Sequence, residues 1–239
     1  MRKVAHIIAV LLCIAVLGGG IFVLSTISSK KTQQDIFYAS MDEFCDAIVA
    51  DGASAEKIDE LANTINSSEN YALVEKAAKM YLRDIFVPYL TALETEKKSV
   101  FKDGITKEFI ESEQPEFKDA LNTIDEMEEA ISVTYIAADT NFSKEAALKY
   151  ISDVDETLDE FYEELFLEQV EEIYSDEEMK NDLINYYFNI YNQCEKYREI
   201  IRFLIANNGS WQLDGDAVIF KTTALTNQYN QIVEKYNQK

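Results

Sequence analysis

Apolar residues in this chain recur at spacings of three and four, with few interruptions. From Thr32 to Ala50 the apolar positions are Phe37, Met41, Phe44 and Ile48. That spacing marks one face of a helix, which could run on from the segment before it. Asp51-Gly52 ends it. Ser54 to Ile65 repeats the pattern on Ile58, Leu61 and Ile65. Ser68 opens a long helix with Tyr71, Val74, Ala78, Tyr81, Ile85 and Leu93 inward. Pro88 falls inside it and predicts a kink, because proline lacks the backbone donor.

Asp103-Gly104 reads as a turn, and a short helix follows from Thr106. Pro115 predicts the first turn of the next helix. Its inward face is Phe117, Leu121, Ile124, Met127 or Glu128, Ile131 and Tyr135, and it runs to about Ala138. Ser143 caps a helix expected to reach Tyr174 unbroken, on Ile151, Val154, Leu158, Phe161, Leu165, Val170 and Ile173. Ser175-Asp176-Glu177-Glu178 reads as a capping box. The helix it opens carries Ile184, Tyr187, Tyr191, Cys194, Ile201 and Leu204, and ends at Asn207-Asn208-Gly209.

The texture then changes. Trp211-Gln-Leu and Ala217-Val-Ile-Phe220 flank Asp214-Gly215-Asp216, a hairpin signal. A final helix begins at Thr222 or Thr223, with Leu225, Tyr229, Ile232 and Tyr236 on one face. Seven Gly and two Pro in 239 residues agree with a chain built mostly of helix.

One stretch has a different character. Val4 to Ile27 carries no charge and one histidine, His6, and follows Arg2 and Lys3. About 20 apolar residues span a bilayer core as a helix. The run resumes after Gly18-Gly19-Gly20 and no A-x-A-like site follows it, so it reads as an uncleaved anchor in preference to a signal peptide. Its short cationic start favours a cytoplasmic N-terminus and an exported body. His6 fits headgroup depth. Cys13 follows the bulky Leu12 and is a poor lipidation site. The pairs Ala5/Ala9 and Ala15/Gly19 have small-xxx-small spacing that would suit a homodimer through the anchor.

The expected fold is therefore all-α. Residues 1–29 form a single N-terminal transmembrane helix. Residues 30–239 form one acidic extracytoplasmic helical bundle, including a short β-hairpin plus helix at 209–239.

All 44 Asp and Glu lie beyond the apolar run, and the net charge of the chain is −22. A body of that charge repels nucleic acid and anionic lipid headgroups. Cationic or polar partners suit it better. Cys45 and Cys194 fall on apolar helix faces. Export would permit a disulfide, but buried free thiols are the expected state.

Between Asp153 and Glu178 there are 13 carboxylates and no Lys or Arg. Glu156, Glu160, Glu164, Glu168 and Glu172 recur every fourth residue, and Asp155, Asp159 and Glu163 form a second row. On a continuous helix these rows would be a strip for a basic partner or loosely held cations, or simply a solvated face. Trp211, the sole tryptophan, is either a recognition aromatic or the anchor of its hairpin. Tyr186, Tyr187, Tyr191 and Tyr197 read as core or wall residues before they read as a ligand groove.

No catalytic residue, cofactor or metal ligand is indicated. The body has no histidine, so histidine triads, H-E-x-x-H sites and E-x-x-H di-iron sites are excluded from it. It also lacks a phosphate loop, G-x-G-x-x-G, C-x-x-C and a calcium loop. The expected function is a non-enzymatic envelope protein that binds a protein or polar ligand. The alternatives are a wall-glycan hydrolase using paired carboxylates, and the sensory subunit of an envelope signalling complex.

Overall fold

The computed structural model describes residues 32–215 and 217–237. The expected anchor at residues 4–27 lies outside them, with His6, Cys13 and the small-residue pairs. Among the described residues no helix is long and apolar enough to cross a membrane.

The chain is mostly helical and ends in a two-stranded antiparallel hairpin and a last helix. The order is α1 (Gln33–Val49), α2 (Ala55–Ala62), α3 (Glu69–Thr95), α4 (Ser99–Lys102), α5 (Lys107–Glu113), α6 (Lys118–Asn141), α7 (Lys144–Val154), α8 (Glu160–Tyr174) and α9 (Glu177–Ala206). Then come β1 (Trp211–Asp214), β2 (Ala217–Phe220) and α10 (Thr223–Asn237). Two compact units share these elements. One comprises the described residues up to Thr91 together with Val133–Ile184; the other comprises Ala92–Ser132 and the chain from Asn185.

In the first unit α1 is capped by Thr32. Thr32 is extended, accepts the Asp35 amide, and gives its own amide to the Asp35 carboxylate. That reciprocal cap fixes a helix start. Phe37, Met41, Phe44 and Ile48 are buried along it, as the spacing predicts. Ser54 caps α2. In α3, Val74, Ala78, Tyr81 and Ile85 are buried, and the helix runs on through Pro88 for seven more residues.

The predicted single helix from Ser143 to Tyr174 is two helices. Asp155 Oδ1 accepts both the amide and the hydroxyl of Thr157, at 2.8 and 2.7 Å. This local turn competes with the helical hydrogen bonds and ends α7. After it α8 folds back on α7. Phe161, assigned inward by the spacing, is 50% exposed, because the break resets the phase.

Ser175 is likewise not the cap predicted for α9. Its hydroxyl donates back to the carbonyl of Glu171, closing α8. Asp176 supplies the cap, accepting the amides of Glu178 and Met179 at 2.9 Å.

In the second unit the core holds Phe109, Ile110, Phe117, Ile124, Met127, Ile131, Ile190, Cys194, Ile201, Leu204 and Phe220. Pro115 precedes α6 in a turn and does not open it. The left-handed backbone of Phe117 (φ 51°) breaks the path, and Glu113 reaches over to accept the Ala120 amide. Along the part of α9 in this unit the buried residues are Ile190, Cys194, Ile200, Ile201 and Leu204, with Tyr197 half-buried, while Tyr191 faces out. Arg198 is held by Glu128, Asp125 and Glu195.

The hairpin register pairs Trp211 with Phe220 and Asp214 with Ala217. Gly215 takes the positive φ that this two-residue turn requires. β2 packs on α10, and the rings of Phe203, Phe220 and Tyr229 meet at centroid distances of 5.2–6.1 Å.

Candidate functional site

The break after α7 changes the acidic strip. Glu156 lies in the turn, so the helical row reduces to Glu160, Glu164, Glu168 and Glu172 on α8. Glu160, Glu164 and Glu168 are exposed and Glu172 is half-buried. Burial, with Glu171 beside it, pushes the Glu172 carboxyl above its ordinary value. Of the second row, Asp155 and Asp159 terminate helices and only Glu163 lies within one.

The elbow between α7 and α8 encloses a small pocket of about 230 Å³. It gathers Glu145, Asp155, Glu156 and Glu163 with Leu148, Ile151 and Leu158. The Thr157 hydroxyl and amide hold the Asp155 carboxyl below its ordinary value. Among the described residues no group of three or more His, Cys, Asp or Glu is placed to hold a metal ion.

Trp211 is half-buried against the second core, and its Nε1 donates to the carbonyl of Leu204 at 2.9 Å. That bond meets an indole's need for an acceptor once its ring is covered. Cys45 and Cys194 are free and buried, and burial pushes both thiols up to about 12. Neither is a ready nucleophile at neutral pH. Tyr186, Tyr187 and Tyr197 are half-buried on the second core, while Tyr191 is exposed and stacks on Tyr187.

The larger recess lies in the first unit, on residues that the sequence pattern does not single out. Arg83, Asp84, Val87 and Pro88 of α3, Val133, Ile136, Ala137, Thr140 and Asn141 of α6, and Tyr150 of α7 line an open cleft of about 420 Å³. That is within the range small ligands occupy. Its positions on α3 and α6 follow from helix geometry. Asp84 and Pro88 are one turn apart, as are Val133, Ile136 and Thr140, so each helix brings a short stripe to the cleft. On α6 this second stripe lies beside the buried one of Ile131, Thr134 and Ala138. It leaves Val133 45% and Ile136 57% exposed, large for aliphatic side chains on a helix.

One end of the cleft is polar and ordered. Arg83 Nε donates to Asp59 Oδ1 at 2.6 Å, and Nη1 to Asp84 Oδ1 at 2.8 Å. The Tyr150 hydroxyl donates to Asp84 Oδ2 at 3.0 Å. Tyr150 stands edge-on to Tyr81, whose hydroxyl donates to the carbonyl of Asn141. Burial and the neighbouring Asp84 push the Tyr150 hydroxyl above its ordinary value, so it remains a proton donor. Asp59 with Asp84 raises the Arg83 guanidinium and keeps it charged. Pro88 has no N–H to give the carbonyl of Asp84, its partner one turn back.

Two signals for this recess exist in the sequence: a proline inside a strongly periodic helix, and Val133 and Ile136 out of phase with the buried face. Neither says that they meet. The chain matches no family model, no curated protein and no solved structure.

Proposed function

We propose that this is a membrane-anchored, extracytoplasmic binding protein that works without catalysis, and that the Pro88 cleft is where it binds. The observation that carries the reading is the cleft itself. It joins an exposed aliphatic wall, Val133 and Ile136, to a fixed set of polar groups, Arg83, Asp84 and Tyr150. A few ordered polar groups beside apolar surface are the usual make-up of a ligand site. The uncharged run at residues 4–27 supports the anchor, and the acidic body supports a partner that is neither nucleic acid nor anionic lipid.

A glycan hydrolase needs one carboxyl held above its usual range to act as acid. In the α7–α8 elbow, which gathers four carboxylates, Asp155 is shifted the other way, and the raised Glu172 carboxyl lies outside that pocket. At the elbow this favours binding over hydrolysis.

The test is site-specific photocrosslinking in intact cells. A photoreactive residue replaces Val133, and in a separate variant it replaces Ile219, an exposed aliphatic residue of the hairpin. The expected result is a discrete adduct from position 133 that disappears with Ile136→Arg and is absent from position 219. Protease added outside the cells should remove the body. Equal labelling at both positions overturns the cleft as the binding site, and a body protected until lysis overturns its location.

A further inference from the structure

We infer that the Pro88 cleft takes a neutral, amide-bearing segment with an aliphatic side chain: a stretch of apolar peptide from a partner protein. This rests on the reading that the cleft is a binding site.

The polar end sets a cation and an anion side by side. A guanidinium carries five N–H donors, and Arg83 spends one from Nε on Asp59 and one from Nη1 on Asp84. Each carboxylate oxygen has room for about two donors; Asp84 gives one place to Arg83 and another to Tyr150. The end therefore still offers both donors and acceptors. Within the lining Arg83 and Asp84 balance. Asp59, the second carboxylate on Arg83, lies outside it with its side chain 43% exposed, where solvent screens it. A ligand carboxylate would meet Asp84, and a ligand ammonium would meet Arg83. A neutral group that both donates and accepts suits the pair, and an amide is such a group. Most of the remaining lining is aliphatic, from Val87, Pro88, Val133, Ile136 and Ala137, with Thr140 and Asn141 adding neutral polar groups at one edge. Tyr150 is the only aromatic ring in it and is already engaged by Tyr81. A flat, stacking ligand such as a nucleobase has no free platform there.

The experiment uses the full chain in lipid nanodiscs and four probes of one aliphatic skeleton. These are N-acetyl-leucinamide (neutral amide), N-acetyl-leucine (carboxylate), leucinamide (ammonium) and 4-methylpentan-1-ol (no amide). Saturation-transfer NMR titration gives the relative affinities. N-acetyl-leucinamide is expected to bind roughly tenfold tighter than each of the others, the worth of one charge-assisted hydrogen bond. Ile136→Arg should abolish its binding with circular dichroism unchanged. Asp84→Asn should bring N-acetyl-leucine up towards the neutral amide, because the repelling anion is gone. Equal binding of all four probes overturns the peptide inference and leaves the cleft as a binding site. No binding by any probe, alongside a discrete crosslink at position 133, also overturns the peptide inference alone. Failure of both probes and crosslink removes the two readings together.

Discussion

The Lys79 ammonium lies 2.8 Å from the Glu75 carboxylate, one helical turn away on α3, and both side chains are buried. Every group around the pair is used. Glu75 accepts the Ser40 and Ser67 hydroxyls and the amides of Asn66 and Ser67. Lys79 also donates to the Ser40 hydroxyl and the Thr64 carbonyl, and stands over the Phe44 ring. A buried ion pair survives when further hydrogen bonds of this kind offset its desolvation. Removing one partner strands the other. Glu75→Gln and Lys79→Met should each cost about 3–5 kcal/mol. The double variant Glu75→Met/Lys79→Met should cost less than the two singles added. Urea denaturation of the four proteins checks this.

The same pair sets a dependence on pH. Burial by itself would raise the Glu75 carboxyl; the bonds from Lys79, Ser40 and Ser67 outweigh it and hold the group below its ordinary value. A depressed carboxyl contributes stability that is fully present above its unfolded pKa of about 4.3. That stability is lost as pH falls through the lower, folded value. The stability gap between wild type and Glu75→Gln should therefore be constant from neutral pH down to about 5 and narrow below about 4. A gap that does not narrow on acidification would count against the pair as its source.

Both described cysteines should be inert in the folded chain. In a Cys13→Ser background, a thiol reagent at pH 7.5 should modify neither Cys45 nor Cys194 within the time that labels free cysteine, and both in denaturant. Burial, which pushes the thiols up to about 12, withholds the thiolate and blocks access together. Rapid native labelling of either residue would contradict its placement.

The acidic face of α8 gives a stability test. Glu168→Lys would place a lysine between Glu164 and Glu172, each one turn away. Two repulsive contacts become attractive ones, worth a few tenths of a kcal/mol each. The melting temperature should hold or rise slightly. Glu156 lies in the turn before the helix, among Glu145, Asp155 and Glu163 of the elbow, and has no part in this helical row. A clear fall in melting temperature for Glu168→Lys would mean that Glu168 bonds within the protein.

Where the sequence was legible, one local rule sufficed. The face Phe37–Met41–Phe44–Ile48, the stop at Asn207-Asn208-Gly209 and the hairpin around Gly215 each depend on residues a few positions apart. The misreadings share a cause. At Asp155 and Ser175 a side chain bonds the backbone in a way that apolar spacing does not record. Val154, Leu158 and Phe161 keep a helical rhythm across a chain that turns between them. At Pro115 the cap comes from Glu113 in the preceding helix. The cleft lay further out of reach, because Asp84 and Tyr150 are 66 residues apart and bond only once α3 and α7 are placed.

The connection between α2 and α3 carries a consequence for evolution. Asn66 and Ser67 aim consecutive amides at one carboxylate, a small anion-binding nest whose anion is the chain's own Glu75. Surface connections ordinarily accept insertions and deletions freely. Here one added residue between Thr64 and Ser67 would part the amides from the carboxylate, or the Thr64 carbonyl from Lys79. Homologues of this chain should vary the composition of that connection and keep its length.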